Sequence, residues 1–285
     1  MPGDIGAVTP RARALAAAIR TVREESGISG RELSKRLGMS HGTMSHWETG
    51  RRVPTQADVV SLLAAAGVTG DEKRRLLEMA RNAGEPNWLA VGIPGIPHQL
   101  AGVVECERAA SDVVQWSPMA VPGLLQITDY ARAASLAAGL SPSDVETRAM
   151  VRASRREVLM RRSPLRLHAL IGEYAIRDVI GDSEVMADQL RHLRSTAELV
   201  NVTLQVVPSH VGWHPGLVGP FVLYEFPDSP PTIHFEHHRS GTFVVDAAEV
   251  RGYRQAVLEI GKLALSPEAS AELIGTIADE RERAR

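Results

Sequence analysis

The residues whose types first point to chemistry are five histidines, His210, His214, His234, His237 and His238, with Glu236 among them. Side chains two apart on a β-strand share a face, so His234, Glu236 and His238 would align as ligands of a zinc-like ion. No cysteine assists them, and His210 and His214 fall on a Gly-Pro loop, so a metal is not expected. Glu173 and Glu236 both follow strand-like runs, and paired carboxylates perform acid and base catalysis. Arg177 and Arg239 offer each of them an ion pair instead, which is the expected arrangement. Cys106 has no flanking cue for reactivity and reads as a small buried hydrophobe. Phosphate-loop and nucleophile-elbow patterns are missing, and GLVGPF lacks the strand-to-helix context that a phosphate loop needs. The expectation is a chain with no catalytic residues, no metal and no cofactor: not an enzyme. A basic run on one helix, Arg152, Arg155, Arg156, Arg161 and Arg162, reads as a solvated or dimer-facing surface, able to brace against DNA or an acidic partner.

Recognition of a polyanion is the chemistry that suits the N-terminal region. Residues 1–56 hold nine Lys or Arg and five acids, a surplus of four positive charges in a chain of net charge −2, which leaves −6 on the remainder. A basic module on an acidic body points to a polyanionic partner for the first and another kind of partner for the second. The elements that position it are short helices. Residues 12–25 put Leu15, Ile19 and Val22 at helical spacing, and Gly27 supplies a stop. In GRELSKRLGMSHGTMSHWET, Gly30 to Thr49, Leu33 and Leu37 lie one turn apart, followed by Met39, Met44 and Trp47. Two short, steeply crossed helices would bury these positions. Ser34 is small where the helices approach, Gly38 can adopt the positive φ of a tight turn, and Ser40 is placed to cap a second helix that ends at Gly50. Pro54 and Thr55 open another helix with Val59, Val60, Leu62 and Leu63 as its apolar set, and residues 70–82 form one more around Leu76, Leu77, Met79 and Ala80.

Through GISGRELSKRLGMSHGTMSHWETGRRVP and its flanking helices, residues 11 to about 80 resemble the Xre-type, or lambda-repressor-like, helix-turn-helix family. The resemblance implies an all-α N-terminal domain whose second paired helix enters the DNA major groove. Carried over position by position, it places His41, Gly42, Thr43 and His46 against base edges, and Ser40, Ser45, Arg51 and Arg52 on phosphates. The family commonly has Gln at the start of the first paired helix, where this chain has Gly30, so one phosphate clamp is lost. A recognition helix poor in Arg, Asn and Gln implies modest direct readout, with specificity leaning on paired half-sites or DNA shape.

The chain's 285 residues suit two domains on a prior of roughly 100 to 200 residues each. Hydrophobic residues make up 44% and aromatic residues 4%, so aliphatic side chains must fill the cores. Residues 86–104 are broken by Pro94, Pro97 and three glycines and cannot span a membrane, no secretory signal pattern is seen, and one cysteine fits a reducing compartment, so a cytoplasmic protein is expected. Residues 84–102 lose periodicity and read as a linker between a domain of residues 1–83 and one of residues 103–285, although Trp88, Leu89, Val91 and Ile93 argue that it packs on something. Residues 103–118 fit helix or strand. Beyond them, TDYARAASLAAGL with Thr128 as its cap, residues 141–160 with Pro142 at the first position and Val145, Met150, Val151 and Val158 inside, SEVMADQLRHLRSTAELV, and residues 246–264 and 267–281 read as helices. LRLHALIG, VTLQVVP, GPFVLYEF, TIHFEH and TFVVD read as strands, which together indicate an α+β domain around an antiparallel or mixed sheet.

Through VPGLLQITDYARA, RASRREVL, LIGEYAIRDVIG, VMADQLRHL, NVTLQVVP, GPFVLYEF and LSPEASAELI, residues 103–275 resemble the C-terminal domain of streptomycete antitoxin-like transcriptional regulators. That resemblance implies an actinomycete DNA-binding regulator, often dimeric, acting on an inverted repeat in double-stranded DNA, with a C-terminal domain that engages a small partner protein and no membrane. It also admits a second reading, an interaction protein that neutralises the partner and binds DNA only to regulate itself.

Overall fold

Five helices open the chain: α1 (Pro10–Glu25), α2 (Gly30–Arg36), α3 (His41–Glu48), α4 (Gln56–Ala65) and α5 (Gly70–Arg81). The computed structural model describes residues 10–81, 83, 88–91, 98–227, 229–237 and 240–283. The starts of α2, α3 and α4 are each made by a side chain that accepts from an otherwise orphaned backbone N–H. Ser29 accepts from Glu32, Ser40 from Thr43, and Thr55 exchanges bonds with Asp58 in a capping box. Gly38 takes a φ of +65°, which lets the chain turn sharply between α2 and α3. Leu15, Ile19, Val22, Leu33, Met44, Trp47, Val59, Leu62, Leu63 and Leu76 form one buried cluster. Val60 is 40% exposed, contrary to expectation, because it lies one residue round the helix from the inward row of Val59, Leu62 and Leu63.

The rest of the chain runs β1 (Trp88–Val91), α6 (His98–Ala109), β2 (Asp112–Ser117), α7 (Thr128–Ala137), α8 (Pro142–Arg155), β3 (Arg166–Gly172), α9 (Tyr174–Arg177), α10 (Ser183–Thr196), β4 (Val202–Val207), β5 (Phe221–Glu225), β6 (Thr232–Glu236), β7 (Ser240–Val244), α11 (Ala247–Leu263) and α12 (Pro267–Arg283). The strands form one mixed sheet in the order β1-β7-β6-β5-β2-β3-β4. The pairs β2 with β3 and β3 with β4 are parallel, and the helical crossovers between them supply the length that parallel pairing needs. The remaining pairs are antiparallel. One sheet face, carrying Val113, Leu167, Ala169, Ile171, Leu204, Tyr224 and Phe243, packs under α6, α7, α10 and α12 and under Val158 and Leu159, just beyond α8. The other, carrying Trp116, Leu170, Phe221, Leu223 and Ile233, packs on Val250, Ala256 and Ile260 of α11.

Several expectations are corrected here. Residues 103–118 are both helix and strand, the end of α6 and then β2. Within 84–102, Trp88–Val91 adds an edge strand beside β7, and helix begins at His98; residues 84–87 and 92–97, with Ile93, lie outside the described residues, as do the side chains of Trp88, Leu89 and Val91. Thr128 is the first helical residue of α7 rather than its cap; Ile127 precedes it without a capping side chain. Met150 is 65% exposed, because Val145 and Ala149, one turn apart, form the buried row of α8. The helix ends at Arg155 and passes into a 3-10 turn, Arg156–Leu159, which buries Val158.

The helical region also touches the sheet region directly. α1 packs against α6, and the Arg13 guanidinium lies 3.3 Å over the Phe226 ring and donates to Ser229 Oγ at 2.6 Å. Burial there pushes Arg13 down to about 10. Among the described residues no helix is long and apolar enough to cross a membrane.

Candidate nucleic-acid interface

α3 has two faces. Met44 and Trp47 point into the helical core, while His41, Gly42, Ser45, His46 and Thr49 are exposed on the opposite side. These exposed positions follow the i, i+4, i+8 spacing that puts side chains in one row. Of the expected base-facing residues, His41, Gly42 and His46 share this face, and Thr43 sits half-buried at its edge with its hydroxyl 3.0 Å from Ser40 Oγ. Of the expected phosphate contacts, Ser45 lies on the exposed face itself. Ser40 is exposed too, but its hydroxyl accepts from the Thr43 N–H at 3.1 Å and so caps the helix. Arg51 and Arg52 are exposed just beyond the end of α3, where the Arg52 N–H donates to the His46 carbonyl at 3.2 Å and folds that segment back on the helix.

The His41 ring lies against Gly30: a Cβ at residue 30 would stand 3.5 Å from His41 Nε2, in ordinary van der Waals contact. Arg31, Lys35 and Arg36 line the outer side of α2; Arg36 is paired with Glu32 at 3.2 Å.

Two residues that sequence reasoning passed over hold α3 in place. Arg23 grips the Glu48 carboxylate with both its Nε and, at 3.2 Å, its Nη2, and both side chains are largely buried. Hydrogen bonding to Glu48, ahead of the opposing cost of burial, raises the Arg23 pKa. Arg20, one turn earlier on α1, donates to the Glu48 carbonyl and caps the C-terminal end of α3. No local spacing rule reveals a pair 25 residues apart; the only sequence signal was an acid at the end of the second paired helix.

The other candidates are not brought together. Glu173 pairs with Arg177 at 2.6 Å and accepts from the Ser209 N–H and hydroxyl, and these bonds hold its pKa down. Glu236 lies three strands away in the sheet, on β6. His234 is buried on β6, His214 is buried beside Trp116, and His238 and Arg239 lie outside the described residues. Among the described residues no three His, Cys, Asp or Glu side chains gather as a metal requires. Cys106 is fully buried, and burial pushes its thiol up to about 12. The basic run is corrected: Arg155 turns inward to the Glu107 carboxylate at 2.6 Å with both side chains buried, and Arg161 donates to the carbonyls of Arg108 and Ala110. The low-dielectric gap between α6 and α8 demands that these charges be satisfied internally.

Comparison with known proteins follows the same division. Residues 14–76 match a family model described as a helix-turn-helix domain. The solved structure of the clp gene regulator ClgR from C. glutamicum is similar to this chain at 28% identity with a TM-score of 0.22, covering 26% of this chain and 91% of that one. No curated protein matches. Residues 100–276, more than half of the chain, match the model described as "Domain of unknown function (DUF5753)", and the chain belongs to that family.

Proposed function

We propose that this chain is a sequence-specific, dimeric transcription regulator that reads double-stranded DNA through α3 and receives a signal, from a small partner protein or a ligand, through residues 103–285. The carrying observation is the exposed face of α3, capped by Ser40 and clamped by Arg20 and Arg23 onto α1. In this reading His41, Gly42, Thr43 and His46 meet bases. Ser40, Ser45, Arg51 and Arg52 meet phosphates, and residues 1–83 form the DNA-binding domain, joined through residues 84–102. A two-fold dimer sets two α3 helices one DNA turn, about 34 Å, apart, so the operator is an inverted repeat. Selection of the purified chain on a random duplex library tests this: an inverted repeat with half-sites one turn apart is the expected enrichment, and a library returned without enrichment overturns it.

An exposed apolar patch favours a second reading, antitoxin-like binding of a small protein with DNA binding reserved for autoregulation. Trp213, Leu217 and Val218, on the loop before β5, are 78%, 62% and 83% exposed. Large apolar side chains grouped at a surface mark interaction sites. If this patch holds a partner, a small protein co-purifies with the wild-type chain and is lost with Trp213→Ser, while duplex enrichment is retained.

A further inference from the structure

A cavity of about 290 Å³ lies between α6, the end of α8 and the 3-10 turn that follows it. That volume is at the low end for small-molecule sites, so a ligand held there is metabolite-sized. Its most buried wall is a fixed ion pair. The Glu107 and Arg155 side chains are 4% and 9% exposed, and Arg155 donates to both carboxylate oxygens, Nε at 2.8 Å and Nη2 at 2.6 Å. A buried pair of this kind adds little stability over apolar packing, but it gives the cavity a rigid polar wall whose own charges cancel.

The charges on the remaining walls do not cancel. Arg161 donates its Nε to the Ser163 carbonyl at 2.8 Å, Nη1 to the Arg108 carbonyl at 2.7 Å and Nη2 to the Ala110 carbonyl at 3.2 Å. These bonds anchor the side chain, yet every acceptor is neutral, and Nη1 and Nη2 each keep a further N–H. Arg108, 63% exposed, is tied by one Nη to Glu105 at 3.2 Å. Glu157 also lines the cavity, and its exposed carboxylate has no partner among the described residues. The Arg161 N–H donates to the Glu157 carbonyl at 3.0 Å, which sets the two residues one helical turn apart. An acid and an arginine so spaced ordinarily pair, but here the arginine is committed to the end of α6. The cavity therefore borders a cation and an anion that are not spent on each other, with Val104 and Val158 as its apolar lining. We propose that it binds a free α-amino acid with a small aliphatic side chain, the carboxylate on Arg161 and Arg108, the ammonium on Glu157 and the side chain on Val104 and Val158. A guanidinium fork matches a carboxylate, and the two lining glutamates disfavour a dianion such as phosphate.

The site bears on α3 through α6, which packs on α1, the helix whose Arg20 and Arg23 clamp Glu48. Occupancy therefore shifts DNA affinity, a consequence that rests on the DNA-binding reading above, whereas binding itself does not. Thermal unfolding of the full chain, without DNA, is followed with valine and leucine, with 3-methylbutanoate and 4-methylpentanoate as partners lacking the ammonium, with leucinamide as the partner lacking the carboxylate, and with inorganic phosphate. The expected result is stabilisation by valine or leucine, weaker for the partners and missing for phosphate. Glu157→Gln, at an exposed side chain without a partner, leaves the unliganded melting temperature unchanged and removes the preference for leucine over 4-methylpentanoate. Arg108→Gln lowers the affinity for the amino acid about tenfold. No stabilisation by either amino acid, equal stabilisation by a deaminated partner or by phosphate, or variants that respond as the wild type does overturns the proposal.

Discussion

At Glu48 one carboxylate does the work of orienting an entire helix. Its two oxygens hold Arg23 and its carbonyl holds Arg20, so α3 is fixed to α1 at its C-terminal end. Glu48→Gln keeps the shape but leaves a largely buried guanidinium short of its counter-charge; the expected loss is about 2 kcal/mol of stability, read by denaturant unfolding, together with weaker duplex binding. Stability and binding both unchanged would mean that the pair does not position α3. His234 carries a pH signature. Burial pushes it down to about 4, with Arg155 and His237 acting in the same direction and Glu236 opposing. The unfolded chain, with a histidine near 6.5, then binds the proton more tightly than the folded one, so stability is full above about pH 6.5 and falls as pH drops toward 4. Between about pH 7 and pH 4.5 this one group accounts for roughly 2 to 3 kcal/mol. His234→Gln removes that part of the acid sensitivity; identical pH profiles for the two chains would contradict the assignment.

The elements show why some of the fold was legible and some was not. Caps and periodicity act over a few residues, which is why Ser40, Gly38, the buried row Leu15, Ile19 and Val22, and the strands from Arg166 to Val244 could be read directly. Gly38→Ala forces a side chain into positive φ and is expected to cost about 1 kcal/mol, with Thr55→Ala costing about 1 kcal/mol through the lost capping box; thermal melts of the two variants check both values. What spacing could not reveal depended on partners far along the chain. The arginines of α8 looked like a solvated stripe, because an arginine row has the same pattern whether it faces water or a buried glutamate 48 residues earlier. Thr43 and His41 both lie on α3, but the hydroxyl of one is shared with a capping serine and the ring of the other lies against Gly30, contacts no pattern encodes. The edge strand Trp88–Val91 was missed because four residues are too few to show alternation.

Across the whole molecule, the contact between α1 and the sheet region makes the two parts more than neighbours on a string. Arg13 stacks on Phe226 and bonds Ser229, and Glu105 on α6 lies within electrostatic reach of Arg20. Arg13→Ala removes the stacking and the hydrogen bond, a loss of about 1 to 2 kcal/mol, and is expected to split a single unfolding transition into two as the helical region melts ahead of the sheet; one unshifted transition would contradict that coupling. Charge follows the same division, with the positive surplus of residues 1–56 set on an acidic remainder. The account stands on α3 as the element that reads DNA. It is tested most directly by the affinity ratio between the enriched duplex and a scrambled one, measured at two salt concentrations for the wild type, His46→Ala and Arg52→Ala. The account predicts that His46→Ala lowers the ratio and leaves the salt dependence alone, while Arg52→Ala weakens both duplexes equally and flattens the salt slope by about one unit. An unchanged ratio in His46→Ala, with Arg52→Ala as tight as the wild type, would contradict it.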